Sequence, residues 1–524
     1  MNPHASTQRA GRLLMALAAI TGIILMAACG SNNSFVPPNP VGFGDGSLTG
    51  TYVFSSSGVD SISGAPINMA GAFAANGSGG VTAGGTMDVV DPNVAVDAGE
   101  TITGGSYKVG SDGRGQVTLV SAAGSFTLDF VLTSNSHGLV TEFDSNGTGS
   151  GTIDLQTAVT SLSQLTGSYA FTLGGADAGG NAYATVGAFT LNTTTGTITA
   201  GVEDFNDNGS IVSNLTLSGS AAVGSGTGPG TITFTSSSQQ YDFYPIDTTH
   251  LKFIETDGTD FLSGDAFTQT GASIPSSMVF TMSGGATSVV ADAGVMTYNG
   301  TTFSGSEDLN SDGTIFTIPT FTGAAGATGV GGRVLVTLTD FVPANAWIVY
   351  PSSGGLLMLE ADNSSVTLGT ALAQQTGAAV AATQNYGFNL SAWNTTEFEE
   401  NDIAQFLTTS TTFSGAVDIN DDFGPDGGDQ TSTQSLDGSY TVNSNGTGAV
   451  TTTANGQVYV SFNFYPASSD QFLVLETDST QIGTGTFELQ SAPSGSVAQS
   501  HMSLARPAIL RPAVRARLAA RRKK

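Results

Sequence analysis

Two recurring patterns of oxygen-bearing side chains are the first candidates for chemistry in this chain. One is Asp308-Leu-Asn310-Ser-Asp312-Gly313, matched by Asp204-Phe-Asn206-Asp-Asn208-Gly209. Alternating Asp and Asn ahead of Gly is how calcium loops place ligands at positions one, three and five. Weak calcium sites at Asp204, Asn206 and Asn208, and at Asp308, Asn310 and Asp312, are therefore one expectation. The bidentate Glu that such a loop carries six residues beyond its Gly is missing, with Leu215 and Pro319 in its place. The motif also varies to Asp418-Ile-Asn420-Asp-Asp422-Phe-Gly424 and thins to Asp88, Asp91 and Asn93. The residues favour the simpler reading, an Asx-turn hairpin that needs no metal. No cofactor other than calcium is indicated.

The second pattern is Glu-x-Asp, at Glu142/Asp144, Glu255/Asp257, Glu360/Asp362 and Glu476/Asp478. On a strand this spacing puts both carboxylates on one face. Such pairs share a proton, bind a cation or run glycoside hydrolysis, so a periplasmic carboxylate-dependent hydrolase is an alternative function. Fourfold repetition argues against a single catalytic centre, and no catalytic residue is assigned. The pairs are expected to mark the last hairpin of each copy, with their carboxylates at its wet end. Nucleophile–base chemistry has little material: His137 and His250 each stand five residues before a Glu-x-Asp, where Gly355 and Gln471 stand in the other copies. A position that accepts His, Gly or Gln reads as a turn. Trp347 and Trp393 are the only tryptophans and read as core residues.

The elements that carry these residues recur four times. Aromatic openings stand at Tyr52/Phe54, Tyr169/Phe171, Phe280 and Tyr386/Phe388. Each is followed by a Gly-x-x-Asp, ending at Asp88, Asp204, Asp308 and Asp418, and then by the Glu-x-Asp. Copies are offset by a little over a hundred residues, enough for a small domain with its own core. The predicted layout is a signal over 1–28, a tether over 29–46, repeats over 47–157, 165–270, 275–375 and 384–491, and a basic tail over 492–524. In the second copy Tyr169, Phe171 and Leu173 alternate, as do Phe189/Leu191, Tyr241/Phe243 and Leu251/Phe253, giving about eight period-two strands. Short polar turns join them in sequence order. The predicted class is all-β, four tandem antiparallel meanders closed into up-and-down barrels, with β-sandwiches as the alternative. The Leu-Thr-Gly-x-Tyr opening resembles the Gly-x-Trp first strand of lipocalin-like barrels, with Tyr for Trp and nothing else shared. The inward aromatics predict filled barrels; small-ligand carriers would instead need small residues lining a lumen.

The lone cysteine, Cys29, follows Arg9, Arg12 and an apolar run from Leu13 to Met26, then Ala27-Ala28. The run is too short for the roughly 20 residues that span a bilayer. Small residues before Cys resemble the lipobox of bacterial lipoproteins. That resemblance implies cleavage before Cys29, lipidation of its sulfur and anchoring by lipid. Gly30 in place of Asp favours the outer membrane by the same analogy. With Cys29 so used, no disulfide is available to the exported body.

All 42 acidic residues lie in that body, against only Lys108, Arg114, Lys252 and Arg333, while eight of the 14 basic residues fall from Arg506 onward. Such a field excludes nucleic acid as a partner. The tail places Leu510, Val514 and Leu518 beside Arg511, Arg515 and Arg522, a basic stripe for an anionic surface or for the acidic body itself. The whole resembles repeat lipoproteins of Gram-negative bacteria, a likeness that supplies no activity. The expectation is an exported, lipid-anchored, non-enzymatic protein at the cell surface or periplasmic face. It would bind, adhere to or brace an envelope polymer or surface ligand through repeated β-domains.

Overall fold

A computed structural model describes residues 41–491, except 62, 92–94, 225–227, 286–287, 340–344, 396–397 and 423–428, together with 507–508. Cys29, the signal, most of the tether and all of the tail but Pro507 and Ala508 lie outside the described residues. So do Asn93 and Gly424 of the two weaker Asp/Asn motifs.

The second copy shows the plan. Its strands run Ser168–Asp177, Ala182–Leu191, Thr197–Asp207, Ser210–Ala222, Gly230–Phe234, Gln239–Pro245, His250–Glu255 and Asp260–Thr268. Each pairs antiparallel with the next, and the first pairs with the last, Phe171 opposite Ala266, so the sheet closes on itself. The third and fourth copies, over 277–373 and 385–489, are closed eight-stranded barrels of the same order. In the first copy the long fourth strand is broken into Ala95–Ile102 and Gly104–Val109. Nine strands result, and the pairing of Pro66–Asn76 with Gly80–Asp91 closes them. The fold class is the predicted one, and closure sets the sandwich aside. Closing a sheet leaves no long bare edge for another chain to pair with.

Alternation decides what fills each barrel. In the second, Tyr169, Phe171, Phe189, Phe234, Tyr241 and Phe253 all point inward and are buried. Their rings meet at 5.7–6.5 Å, the spacing of favourable stacked and edge-on pairs. A glycine on the last strand recurs in every copy: Gly151, Gly264, Gly369 and Gly485. A Cβ on Gly264 would lie 2.1 Å from the Thr172 carbonyl oxygen across the seam, and the other three meet the same obstacle at 1.8–2.3 Å. Only glycine lets the seam close at this point.

The outward faces are buried as well, because the barrels pack on one another. Val53, Ala70, Val90, Tyr244, Ile254 and Phe261 join the first barrel to the second. Ala184, Val202, Tyr350 and Leu359 join the second to the third. Val279, Ala293, Trp393 and Leu475 join the third to the fourth. Val131, Leu139 and Ile403 join the fourth back to the first. The contacts therefore form a closed cycle, with the same strands meeting head to tail at each junction. Pro507 packs against Gly284, and the Ala508 N–H donates to the Gly175 carbonyl at 2.7 Å. Ala508 also lies among Ala65 and Ala176.

Candidate functional site

The Asp-x-Asn pattern belongs to the junctions. On the third strand of the second, third and fourth barrels the Asp and Asn face outward, toward the next barrel. Asp204 accepts from Arg333 Nε and Nη2, both at 2.7 Å, and from the Tyr350 hydroxyl at 2.5 Å. Asn206 Nδ2 donates to the carbonyls of Glu360, Asp362 and Ser365 at 3.2, 3.2 and 2.9 Å, closing off the Glu-x-Asp turn of the third barrel. Asp308 and Asn310 repeat this on the fourth barrel: Asp308 accepts from Tyr465 and Asn463, and Asn310 donates to Glu476 and Gln481 carbonyls at 3.0 and 2.8 Å. Asp418 and Asn420 repeat it on the first, with Arg114 at 3.4 Å in the role of Arg333, Val131 where the tyrosine stands, and Asn420 donating to the Glu142 and Gly147 carbonyls. The first-to-second junction keeps Asp88, facing Tyr244, but has Val90 where the others have Asn.

The remaining members of the two calcium-like motifs make the turn itself. Asn208 and Asp312 have φ of 49° and precede Gly209 and Gly313 at 87° and 79°, two successive positive values as in the tight type I′ hairpin turn. Asp312 accepts from the Val289 N–H at 2.8 Å. Among the described residues no three His, Cys, Asp or Glu side chains are grouped to hold a metal ion.

The Glu-x-Asp pairs divide their two carboxylates between different jobs. Asp144, Asp257, Asp362 and Asp478 lie just past the strand end and accept backbone N–H groups of the turn, for example Asn146, Thr259, Ser364 and Thr480 at 2.8–2.9 Å. Glu142, Glu255, Glu360 and Glu476 end their strands pointing into the lumen and are buried. The expected wet carboxylates are thus half wrong: the last residue of an inward-facing row stays inside. Burial, then the paired Asp (for Glu255, Asp260 ahead of Asp257), pushes Glu142, Glu255 and Glu476 well above the usual carboxyl range and raises Glu360.

The histidine position is also not a turn. His137 and His250 open strands His137–Glu142 and His250–Glu255 and face outward into buried ion pairs. His137 Nδ1 is 2.6 Å from Asp154, and its Nε2 is 3.2 Å from Glu488 of the fourth barrel. Burial pulls His137 down, but these two carboxylates outweigh it and bring it to about 9. His250 and the buried Lys252 share Asp265, at 2.7 and 2.9 Å.

One lumen differs from the sequence expectation of filled barrels. The second barrel is plugged near its Glu end by Tyr183 and Phe205, stacked 5.4 Å apart. In the third barrel the same positions hold Val290 and Leu309. The lost bulk leaves a cavity of about 280 Å³ lined by Val290, Leu309, Trp347 and three carboxyl groups, Asp292, Glu307 and Glu360. At about 30 Å³ per water it has room for roughly nine. Glu360 is held by Ser364, Ser365 and Thr367. Among the described residues Asp292 Oδ1 and Glu307 Oε2 have no hydrogen-bond partner, although the two side chains belong to residues only 8% and 6% exposed. Burial first, then mutual repulsion with Glu307 and Glu360, raises Asp292 well above its usual value. Burial, Glu360 and Asp308 push Glu307 up to about 8. Sequence reading passed over Asp292 and Glu307, although Glu307 stands next to Asp308 as Glu203 stands next to Asp204.

No family model matches the chain, and no curated protein matches it. Among solved structures it is similar to a double mutant of transferrin-binding protein B from Haemophilus parasuis, at 8% identity and a TM-score of 0.14, over 68% of this chain and 83% of that one. It is also similar to the copper transporter OprC, at 8% identity and a TM-score of 0.13, over 86% of this chain and 81% of that one. Likenesses at this level carry nothing about activity or ligand.

Proposed function

We propose that the chain is a lipid-anchored cell-envelope protein with a non-enzymatic binding role, in which the third barrel takes a small ligand. The cavity carries this reading. A fold that fills its lumens with aromatic rings opens one of them, and turns partnerless carboxyl oxygens into it. Leaving such groups buried costs stability, and a ligand that meets them recovers it. The other barrels hold the third in place through buried faces. The lipid anchor at Cys29 and the outer-membrane address rest on the lipobox resemblance.

The address is tested by growing cells with a labelled fatty acid and comparing the native chain with Cys29→Ser. Label on the native chain, its recovery with outer membranes and loss of both in the variant support the reading. An unlabelled native chain in the soluble fraction overturns it. Protease treatment of intact cells then separates the outer from the periplasmic face.

A further inference from the structure

The geometry points to a small organic ammonium ion as the ligand of the third barrel, its charged head between Asp292 and Glu307 and its alkyl part against Trp347, Val290 and Leu309. This rests on the binding role proposed above and names the chemical class.

Asp292 and Glu307 come from adjacent strands, Val289–Tyr298 and Thr302–Ser311, and both project into the lumen. Among the described residues each keeps one oxygen without a donor, on a side chain that is itself buried. A ligand that supplies several N–H donors and a positive charge satisfies both oxygens at once, where a neutral hydroxyl supplies one donor and no charge. Among the described residues an anion would meet three carboxyl groups and no cation, since Lys108, Arg114 and Arg333 are paired with Asp45, Asp112 and Asp204, and Lys252 with Asp265. The cavity is also many times the size of a bare metal ion, and its far wall is apolar. Trp347 packs on Phe280 and Phe321 at 5.6 and 5.5 Å, a fixed aromatic wall of the kind that receives alkylammonium groups. The acidic surface gathers cations near the mouth.

The matching region of the other barrels carries different side chains. In the second, Glu203 accepts from Thr185, beneath the Tyr183/Phe205 plug. In the fourth, the partly buried Tyr459 donates to Glu400 at 3.3 Å and stands beside Asp402. The first has Met69 and Met87 in place of the two acids.

The test is calorimetric titration of the full chain with butylammonium, n-butanol and calcium chloride at pH 8.5. Three variants are titrated alongside: Asp292→Asn/Glu307→Gln, Leu309→Phe, which restores the second barrel's plug, and Glu203→Gln in the second barrel. Circular dichroism and melting confirm that each is folded. The expected result is one site for butylammonium, undetectable for butanol. Affinity falls about 30-fold or more in the double variant and in Leu309→Phe, as when a buried charge loses its partner, and is unchanged in Glu203→Gln. Tighter calcium binding that displaces butylammonium overturns the organic class in favour of a metal. Equal binding of butanol that survives the double variant overturns the ammonium assignment and leaves the binding role standing. No heat with any probe sends the native protein to intact mass spectrometry as isolated from its own membranes. A co-purifying acid or neutral compound there overturns the class alone; an empty barrel overturns the class and the binding role together.

Discussion

His137 in the first barrel and Glu488 in the fourth stand 3.2 Å apart, so residues from opposite ends of the repeat array form one buried ion pair. The same junction holds the Arg114–Asp418 pair and the amide of Asn420 on the Glu142 and Gly147 carbonyls. Removing one partner of a buried pair costs about 3–5 kcal/mol, because the other charge stays behind unpaired. His137→Leu is predicted to weaken the fourth-to-first junction by that order. Hydrogen exchange checks it: protection should fall first in His137–Glu142 and Gln481–Leu489, ahead of the third barrel.

Replacing the junction asparagines is predicted to be costly at three sites. Asn310→Ala strips donors from buried carbonyls of Glu476 and Gln481, a loss of about 1–3 kcal/mol. Urea melts of Asn206→Ala, Asn310→Ala and Asn420→Ala should each move to lower denaturant. Val90→Asn, at the junction that uses an apolar contact, should also destabilise, since the new amide is buried among Tyr244, Ile254 and Phe261.

The barrel seam offers a sharper backbone test. Gly264→Ala places a methyl 2.1 Å from the Thr172 carbonyl oxygen, so the strands must part. Overpacking of this kind costs about 1–3 kcal/mol or more. Thermal melting of Gly264→Ala beside Gly46→Ala, whose added methyl would meet only the Gly77 carbonyl oxygen at 3.9 Å, should show a large drop only in the first.

How much of this was legible in the residues differs by level. Strand alternation around Tyr169, Phe171 and Leu173 and the short turns between runs carried the fold, because period two and loop length are local properties. The junction role of Asn310 was not legible: its acceptors, Glu476 and Gln481, lie more than 160 positions away. The Asp-x-Asn pattern therefore looked like a local ligand loop. His137 read as a turn because Gly and Gln share its position, yet each opens a strand whose outward face meets a different neighbour. The cavity was written in what the third copy lacks. Val290 and Leu309 are ordinary strand residues until they are aligned with Tyr183 and Phe205 across the closed barrel.

Stability is predicted to fall as pH rises from about 5 to about 9. Glu203 is pushed up to about 7, and Asp129 and Glu307 to about 8, burial being the first cause in each. A group whose folded value lies above its unfolded one contributes fully below the unfolded value and loses that contribution as pH climbs through the folded one. His137, raised to about 9, has the same sign. Differential scanning calorimetry at pH 5, 7 and 9 should give a descending melting temperature.

Ligand uptake should run the opposite way with pH. The Asp292–Glu307 pair must shed protons to meet a cation. Glu360 and Asp308 face Glu307, and Asp362 backs Glu360. All are acidic; they hold the proton on Glu307 until about pH 8 and raise Asp292 well above its usual range. Butylammonium affinity is predicted to climb between pH 6.5 and 8.5 and to release protons, a release that titrations in buffers of different ionisation heat would report.

The cycle of junctions within one chain has a consequence for divergence. A homotetramer of identical barrels would repeat a single contact four times, and any substitution would appear in every subunit. Four barrels fused in one polypeptide escape that constraint. Val90 replaces an asparagine at one junction, and Val131 replaces a tyrosine at another. By the same freedom, the third lumen opens where the second is plugged by Tyr183 and Phe205, so asymmetry arises inside a nearly symmetric frame.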